Sequence, residues 1–460
     1  MKIGFGETVI TPPVGSSLHG YFHDRRSTGI RDNLLARAVL FQQAETVVAL
    51  VACDLIWVTA ETTETIRKWL RQELKVPVTH LLLHATHTHT GPLTAPPTPA
   101  VYERGFWVHP GYLKVLPALI AGSVKIAWET RETMALGIGQ AKASGISFNR
   151  RYLLDDGRVV TNPRPDRQKI VRSAGPVDDT VGIIKITSPD GKLKGLLLNF
   201  ACHPDTLGGT LISADWPGLV RKRLESRFPG LQTILFNGPS GDINHLNPFD
   251  RETRSPAVGE RISQTIEEVV IPVLERIETH QIDQVQAVSQ KISLPYRMIT
   301  PEEQEQARQC LRKRLPADSL QKLIATQTLQ RCRERAIRKS IPVECLALAL
   351  EKEVAIVGLP GEVFTQLGLD IKAGSGFPYT WVVQNCNTAL GYVPSPLAFQ
   401  QHRQNQKIKP EYDTTSLTEA LGINCSYETT PLACRVDERA AQKLVDNSLQ
   451  LLKKISRLLT

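Results

Sequence analysis

The sequence predicts an α/β fold in which mixed sheets are flanked by helices, within a single region that spans residues 1–460. Two observations lead to this prediction. Short apolar runs bounded by turn residues recur along the chain, as is typical of buried strands. Most of these runs are followed by a segment with apolar residues at helical spacing, and such alternation favours an α/β architecture. A division into two α/β lobes, at roughly 1–190 and 191–460, is the alternative.

The predicted elements extend from the first residues to the last. Strands are predicted at 47–58, 80–83, 195–201, 233–236, 354–359 and 381–383. Helices are predicted at 59–74, 217–227, 258–277, 302–338 and 436–459. The helix at 302–338 should break near Pro316, because proline cannot donate the backbone hydrogen bond of a helix interior. The polar segment 411–424 is predicted to be an insertion.

Composition excludes several classes of protein. Apolar residues make up 41% of the chain and charged residues 22%, so disordered, collagen-like and coiled-coil proteins are excluded. The longest apolar run, 47–58, is shorter than the roughly 18 residues of a membrane span. The N-terminus lacks the apolar stretch of a signal peptide, which favours the cytoplasm. The 8 cysteines show no Cys-x-x-Cys spacing and suit reduced thiols.

The net charge of +9 is concentrated in one segment. Residues 308–339 hold ten Lys and Arg against two acidic residues, a net of 10 − 2 = +8. This pattern predicts a basic, solvent-exposed helical hairpin over about 300–340. A weak contact of 308–339 with membrane headgroups, or with another acidic partner, is the alternative. The segment has no aromatic residue on which bases could stack, so nucleic acid is not expected as a partner.

Polar residues that bind metals or move protons follow four of the predicted strands. They are His87 with His89, then His203, Asp242 and Glu362. Ligands in open α/β sheets bind beyond the carboxyl ends of the strands. We therefore expect these strand ends to meet at one cleft.

The segment His87-Thr88-His89 is the most informative motif. In extended backbone, residues i and i+2 point to one face, so both imidazoles could reach the same point. Neutral imidazole is a common metal ligand and the usual general acid or base. With His203 and Glu362, the motif could supply the ligands of a catalytic zinc site that keeps a position open for water. The simpler interpretation is a set of hydrogen-bonded core histidines and an acid at a helix N-terminus.

Residues 85–92, Ala-Thr-His-Thr-His-Thr-Gly-Pro, resemble the Ala-Thr-His-Thr-His-Ser-Gly-Pro motif of the neutral/alkaline ceramidase family. Further motifs of that family follow in the same order along almost the whole chain: Gly20-Tyr21, Leu35-Ala36-Arg37-Ala38, Asn149-Arg150, 199–203, 213–218, Pro360-Gly361-Glu362, Gly391-Tyr392 and Tyr427-Glu428. The resemblance implies a ceramidase-like catalytic domain without the C-terminal immunoglobulin-like domain, since the chain stops at Thr460.

Members of that family are zinc amidases that split ceramide into sphingosine and a fatty acid. The resemblance implies that Zn²⁺ is bound by His87, His203, Glu362 and Tyr392. It implies that His89, Arg150 and Tyr427 surround the scissile carbonyl, with Tyr412 as the competing choice for Tyr427. It also implies substrate binding by Arg150 and Asp215.

Asn244 departs from the family pattern because it occupies the position of a serine. An amide side chain cannot attack a carbonyl, which excludes an acyl-enzyme at this position. The resulting hypothesis is a zinc-dependent hydrolase of an N-acyl bond, in which zinc lowers the pKa of bound water toward ~7. His89 would then be the general acid, and Asn244 an additional donor to the oxyanion.

A ceramide-like lipid is one expected substrate of this hydrolase. The alternatives are a hydrolase of a small soluble amide or ester, and a metal-binding relative that has lost catalysis.

Overall fold

The computed structural model describes residues 1–95, 105–107, 109–316, 320–405, 407–408 and 427–459. Over these residues, three sheets of four or five strands form the framework. Each sheet contains one parallel pair of strands within an otherwise antiparallel arrangement. This is the mixed α/β fold that the sequence predicts.

The first sheet is built from the N-terminal part of the chain. Its strands lie in the order His80–Ala85, Thr46–Cys53, Leu35–Gln43, Lys2–Val9 and Glu132–Thr133. Helix Ala60–Lys68 precedes its parallel edge strand, and helix Pro110–Glu129 packs on Lys2–Val9. Glycine is required at Gly4, because a Cβ there would lie 1.8 Å from the Ala127 carbonyl oxygen of the packed helix.

The second sheet has the strand order Gln232–Asn237, Leu193–Phe200, Thr180–Thr187 and Ala135–Lys142. The helices Asp215–Arg227 and Val258–Arg276 pack against each other and cover one face. Apolar side chains of both helices, among them Trp216 and Ile262, are fully buried against the sheet. Burial of this face is the main stabilising contribution to this part of the fold.

The third sheet has the strand order Val285–Pro295, Ser340–Leu350, Val354–Gly358 and Tyr379–Val383. The helices Thr365–Gly374 and Arg439–Leu458 pack on it. Between its first two strands the chain forms the antiparallel helices Pro301–Arg312 and Leu320–Ile337, which pack against each other. Both helices lie within the segment for which a basic helical hairpin is predicted, and the first helix ends before Pro316.

Shorter elements connect the sheets. The short strands are Ser17–Leu18, Arg25–Arg26, Gly29–Ile30, Phe148–Asn149, Arg151–Leu154, Val159–Thr161, Ile170–Ser173, Leu211–Ile212, Ile243–Asn244, Glu362–Val363 and Tyr392–Val393. The remaining helical segments are the π-helical turn Trp69–Glu73, the helix Pro396–Asn405 and the 3₁₀ turns Arg251–Arg254 and Tyr427–Thr429. Within the described ranges, no helix combines the length and the apolar character that crossing a bilayer requires.

The three sheets share one apolar core. Leu50 of the first sheet, Leu197 of the second and Ile356 of the third each place a side chain in it. Their parallel strands end side by side. The backbone N–H of Asn237, at the end of the second sheet, donates to His84 Nε2 of the first, 3.0 Å away. Gln384, just after the third sheet, donates its backbone N–H to the Asn237 carbonyl oxygen at 3.2 Å. The carboxyl ends of strands from all three sheets therefore meet, as the sequence predicts.

Three sequence-based expectations on the fold differ from the structure or stay untested. The strand predicted at 47–58 ends earlier, at Cys53, because the next residue, Asp54, is buried in an ion pair with Arg221. The predicted insertion at 411–424 lies outside the described residues. Whether 1–460 is one domain or two lobes stays a prediction.

Gly182 tests the contact between the second and third sheets. A Cβ at this position would lie 2.2 Å from the Trp381 indole nitrogen, so we expect Gly182→Ala to lower the free energy of unfolding by about 1–3 kcal/mol. The matched control is Gly208→Ala, because nothing lies within 4 Å of its Cβ position. Urea unfolding of both variants measures the difference, and equal midpoints would contradict the tight contact.

Candidate functional site

The His87-Thr88-His89 segment leaves the first sheet directly after strand His80–Ala85. His87 has a backbone φ of 77°, a left-handed conformation that is costly for a non-glycine residue. The backbone is therefore not extended here, and the extended conformation predicted for His87-Thr88-His89 is wrong. The two rings nevertheless meet, with their centroids 5.1 Å apart.

Three buried imidazoles form the centre of the site. His203, which follows the strand Leu193–Phe200, joins His87 and His89, and one nitrogen of each ring lies within 4.8 Å of the others. The His203 ring centroid is 4.7 Å from that of His87 and 5.1 Å from that of His89. Each histidine is at most 7% exposed. Backbone carbonyls orient two of the rings, because His87 Nδ1 lies 2.6 Å from Ile56 O and His203 Nδ1 lies 3.1 Å from Ser240 O.

Glu362 adds a carboxylate to this histidine cluster. Its Oε2 atom lies 3.1 Å from His87 Nε2 and 3.7 Å from His203 Nε2. The residue sits on the short strand Glu362–Val363, which pairs in parallel with Tyr392–Val393. Gly361 makes this pairing possible, because a Cβ there would lie 2.4 Å from the Gly391 carbonyl oxygen. The Pro-Gly-Glu and Gly-Tyr motifs are thus two halves of one local structure.

Arg150 lies next to this centre in a second group of polar side chains. Its Nε donates to Glu428 at 2.9 Å, and its Nη2 donates to the Gly241 carbonyl at 2.8 Å and to the Tyr392 hydroxyl at 3.1 Å. The hydroxyls of Tyr392 and Tyr427 lie 2.9 Å apart. Tyr392 is the strand partner of Glu362 in the short parallel ladder, which links this arginine–tyrosine group to the histidine cluster.

The protonation states suit a cation. Burial lowers the pKa of His89 and of His203 well below the usual value, which favours neutral imidazoles with free lone pairs. Burial raises the pKa of Glu362, but His87, Tyr392 and Arg150 together lower it by more, so the net shift of the pKa is downward and favours the ionised carboxylate. Burial raises the pKa of the Tyr392 phenol well above its usual value.

Several buried polar atoms of the site have no hydrogen-bond partner among the described residues. They are both ring nitrogens of His89, Nε2 of His203 and Oε2 of Glu362. Buried polar atoms are normally paired, so such a group requires an explanation. Neutral imidazole nitrogens and a carboxylate oxygen are the ligand types of zinc. The residues present therefore fit a divalent metal ion.

Other residues expected at the site are engaged elsewhere. The Asp215 carboxylate accepts hydrogen bonds from the backbone of Thr206, Leu207 and Trp216, and so holds the loop after His203. These contacts indicate a structural role, whereas its expected part in substrate binding stays a prediction. Asn244 donates its side-chain amide to Asn162 at 2.9 Å.

Asn244 also accepts a hydrogen bond from the backbone N–H of Leu246 at 3.0 Å, so both ends of its side chain have partners. Tyr427 adjoins the site, whereas Tyr412 lies outside the described residues.

Several further residues that surround the histidines are not predicted as site residues by the sequence. The Tyr21 hydroxyl donates to Asp205 at 2.6 Å, and Asp205 Oδ1 lies 3.6 Å from His89 Nδ1. His19 packs edge-on to Trp57, with ring centroids 4.5 Å apart. Asp205 could have been suspected because it follows His203 by two positions. Nothing local marks His19 as part of a site.

Fold and site together define an α/β protein with a buried, cation-compatible histidine cluster next to an arginine–tyrosine group. Residues 1–239 match the family model described as neutral/alkaline non-lysosomal ceramidase, N-terminal. The chain belongs to this family. A comparison with curated protein sequences found no match.

Two solved structures have a similar fold. Neutral ceramidase from Pseudomonas aeruginosa superimposes with a TM-score of 0.67 at 15% sequence identity, over 98% of this chain and 74% of that chain. A ceramidase complexed with C2 superimposes with a TM-score of 0.66 at 14% identity, over 98% of this chain and 75% of that chain. At 14–15% sequence identity, the structural similarity shows a shared fold and no more. The family membership rests on the match of residues 1–239 to the family model.

The buried Arg150–Glu428 pair can be tested by removing its acid. Their side chains are 4% and 0% exposed, so Glu428→Ala leaves an unpaired buried cation and should cost about 3–5 kcal/mol of stability. The control is Glu438→Ala, which breaks the exposed pair with Arg403 and should cost at most about 1 kcal/mol. Chemical unfolding measures both changes. Similar losses of unfolding free energy in the two variants would contradict the larger contribution expected from the buried pair.

Proposed function

We propose that this protein is a metal-dependent hydrolase that cleaves an N-acyl amide bond. The observation that carries the proposal is the group of unpartnered buried ligand atoms on His89, His203 and Glu362, which lies directly beside Arg150 and two tyrosine hydroxyls. Hydrolysis of an amide needs an electrophilic centre, a donor to the developing oxyanion and a proton for the leaving amine. The two adjoining groups can supply all three.

His87, His203 and Glu362 would hold the ion, and Tyr392 is the fourth ligand that the sequence resemblance implies. Zinc in this position would polarise the substrate carbonyl and make a water molecule more acidic. The protein's own contribution is to keep these side chains fixed and nearly free of solvent, since each of the four is at most 7% exposed. A dry, preorganised site strengthens every electrostatic interaction within it.

Arg150 and Tyr427 are the candidates for stabilising the developing negative charge. Arg150 is held by Glu428 and by the Gly241 carbonyl, and its guanidinium carbon lies 5.1 Å from the centre of the Tyr427 ring. Both donors are therefore fixed before a substrate arrives. The leaving amine must also receive a proton. His89 within the cluster and Tyr427 beside it are the candidate donors.

The substrate class is suggested by the family, whose name refers to ceramide. A ceramide-like N-acyl lipid is therefore the first candidate. A smaller, soluble amide is the second, because the side chains beside His89 are polar. Tyr21 is hydrogen-bonded to Asp205, and the Arg25 guanidinium stacks 3.9 Å from the centre of the Tyr21 ring.

Metal analysis and a substrate panel test this proposal together. We expect about one divalent ion per chain, and hydrolysis of at least one N-acyl amide that is lost on chelation and restored by zinc. His87→Ala should lose metal and activity together, since it removes one of the three imidazoles of the cluster. The panel should pair a ceramide with a short-chain soluble amide.

Three results would contradict the proposal or redirect it. Full activity of a metal-free His87→Ala protein would remove the metal from the reaction. Stoichiometric metal without hydrolysis of any amide or ester would instead indicate a non-catalytic relative, as the asparagine at position 244 allows. Hydrolysis of the soluble amide alone would assign the second substrate class.

A further inference from the structure

We propose that the helical hairpin formed by Pro301–Arg312 and Leu320–Ile337 is a docking surface for an anionic lipid bilayer. The surface consists of a group of cations at each end of the hairpin and of exposed apolar side chains beside them. The tip group is Arg308, Arg312, Lys313 and Arg314, and the base group is Arg333, Arg335, Arg338 and Lys339. The proposal does not depend on the hydrolase activity proposed above, because none of these residues belongs to the site.

Most cations of the hairpin segment are exposed and are not used by the fold. The exposed ones are Arg308, Arg312, Lys313, Arg314, Arg333, Arg338 and Lys339. Of these, only Arg308 forms an ion pair with a described residue, an exposed contact with Glu305 at 3.6 Å. In contrast, Arg331 is 13% exposed and donates to the Pro431 carbonyl oxygen at 3.3 Å. Unpaired like charges on one surface repel each other, so their presence favours an anionic partner.

Acidic residues of the second helix do not neutralise the base group. Glu334 is the one acidic residue of Leu320–Ile337, and it already lies 2.8 Å from Arg331 and 3.9 Å from Arg435. A solvated helix usually alternates opposite charges at a spacing of three or four residues, so that they pair along its surface. This helix lacks that alternation, which argues against a surface whose charges serve only solubility.

The first helix forms the outer layer of the hairpin. It packs against the second helix, and Ala307 is the one buried side chain among its residues. A helix that buries so little of itself leaves most of its surface available to a partner.

Exposed apolar side chains accompany both groups of cations. Leu311, 37% exposed, lies within the tip group, and Ile337, 80% exposed, lies within the base group. Met298 is 61% exposed and also lies at the base. The Tyr296 backbone N–H donates to the Lys339 carbonyl oxygen at 3.1 Å, which places the chain before the hairpin next to the chain after it. Membrane-surface segments combine apolar side chains that enter the headgroup layer with cations that stay among the phosphates.

The distance between the two groups distinguishes a bilayer from a small acidic ligand. They lie at opposite ends of the second helix, whose 18 residues span about 27 Å. Only a partner with an extended anionic surface can contact both ends at once. A nucleic acid is such a partner, but residues 308–339 contain no aromatic side chain on which bases would stack. A bilayer is the extended anionic surface that also accommodates exposed aliphatic side chains.

The hairpin is attached to the part of the chain that carries the site. Arg331, on the second helix, donates to the Pro431 carbonyl, and Arg297, just before the first helix, donates to the Thr429 carbonyl. Both carbonyls belong to the segment that begins at Tyr427. Docking through the base group would therefore set the orientation of this segment relative to the bilayer.

Vesicle sedimentation tests the proposal on the full-length protein. One set of vesicles consists of phosphatidylcholine alone, and a second contains roughly one-third phosphatidylserine. We expect binding to the anionic vesicles only. Raising the salt from about 0.1 M to about 0.5 M should weaken this binding, because salt screens the attraction between the cations and the headgroups.

Substitutions at the tip and the base locate the surface. Arg312→Gln, Lys313→Gln and Arg314→Gln together should weaken binding about 100-fold, since each cation near an anionic surface contributes about fivefold. Ile337→Ser should weaken it about 5–10-fold, because an apolar side chain no longer enters the headgroup layer.

The matched control removes the same charge from exposed positions on the second sheet and its helix. It combines Lys192→Gln, Lys222→Gln and Arg227→Gln. The affinity of this variant for anionic vesicles should stay within about 3-fold of the parent protein, because charges far from the contact are screened.

A footprint on the unaltered protein makes the test independent of how the variants fold. Lysine acetylation, measured by mass spectrometry, should show that anionic vesicles protect Lys313 and Lys339 but not Lys192 and Lys222. Equal binding to both kinds of vesicle, equal losses in the tip and control variants, or equal protection of the four lysines would overturn the proposal. Binding to polyglutamate without binding to vesicles would also overturn it and would assign an acidic polypeptide as the partner. No hydrolysis is measured, so the outcome is separate from that of the substrate panel.

Discussion

The burial of unpaired imidazole and carboxylate atoms is the constraint on which the rest of the structure depends. Such atoms are costly inside a protein unless a partner satisfies them, so the surrounding chain must hold them in place against that cost. Here the cost is concentrated where strands from three sheets end. The apolar core beneath keeps those ends together, and the polar side chains meet because their strands do.

Two buried polar side chains, those of Asp54 and Gln384, connect the segments that carry the site. Asp54 binds Arg221 at 2.6 Å and also accepts the backbone N–H of Leu35 at 3.0 Å, which ties the first sheet to a helix of the second. Gln384 accepts the backbone N–H groups of Ser240 and Val363, each at 3.1 Å. The Ser240 carbonyl faces the His203 ring, and Val363 directly follows Glu362 in the chain. The Gln384 side-chain amide therefore holds in place the backbone next to two potential ligands, His203 and Glu362. Fully satisfied networks of this kind rigidify a site.

The site has two chemically distinct halves. One half consists of imidazoles and a carboxylate, which are suited to a cation, and the other consists of an arginine and two phenols, which are suited to an oxyanion. The Tyr392 hydroxyl belongs to the second half by its contacts with Arg150 and Tyr427, and Tyr392 adjoins the first half through its strand partner Glu362. A reaction that develops negative charge on an oxygen next to a metal would use both halves at once.

The sequence by itself determined the fold class and the chemistry that is available. Apolar runs such as 195–201 predict buried strands because the pattern lies within a few consecutive residues. The residue types alone indicate that His87, His203 and Glu362 can bind a metal. The motifs were also sufficient to indicate the family. Tertiary structure decided which atoms meet. The Arg150–Glu428 pair joins residues 278 positions apart, and Asp205 reaches His89 from a different sheet. Periodicity gave a wrong backbone for His87, whose φ is 77° and whose backbone N–H and ring contact the carbonyl groups of Leu55 and Ile56. Such contacts depend on how the sheets pack, which no local pattern in the chain encodes.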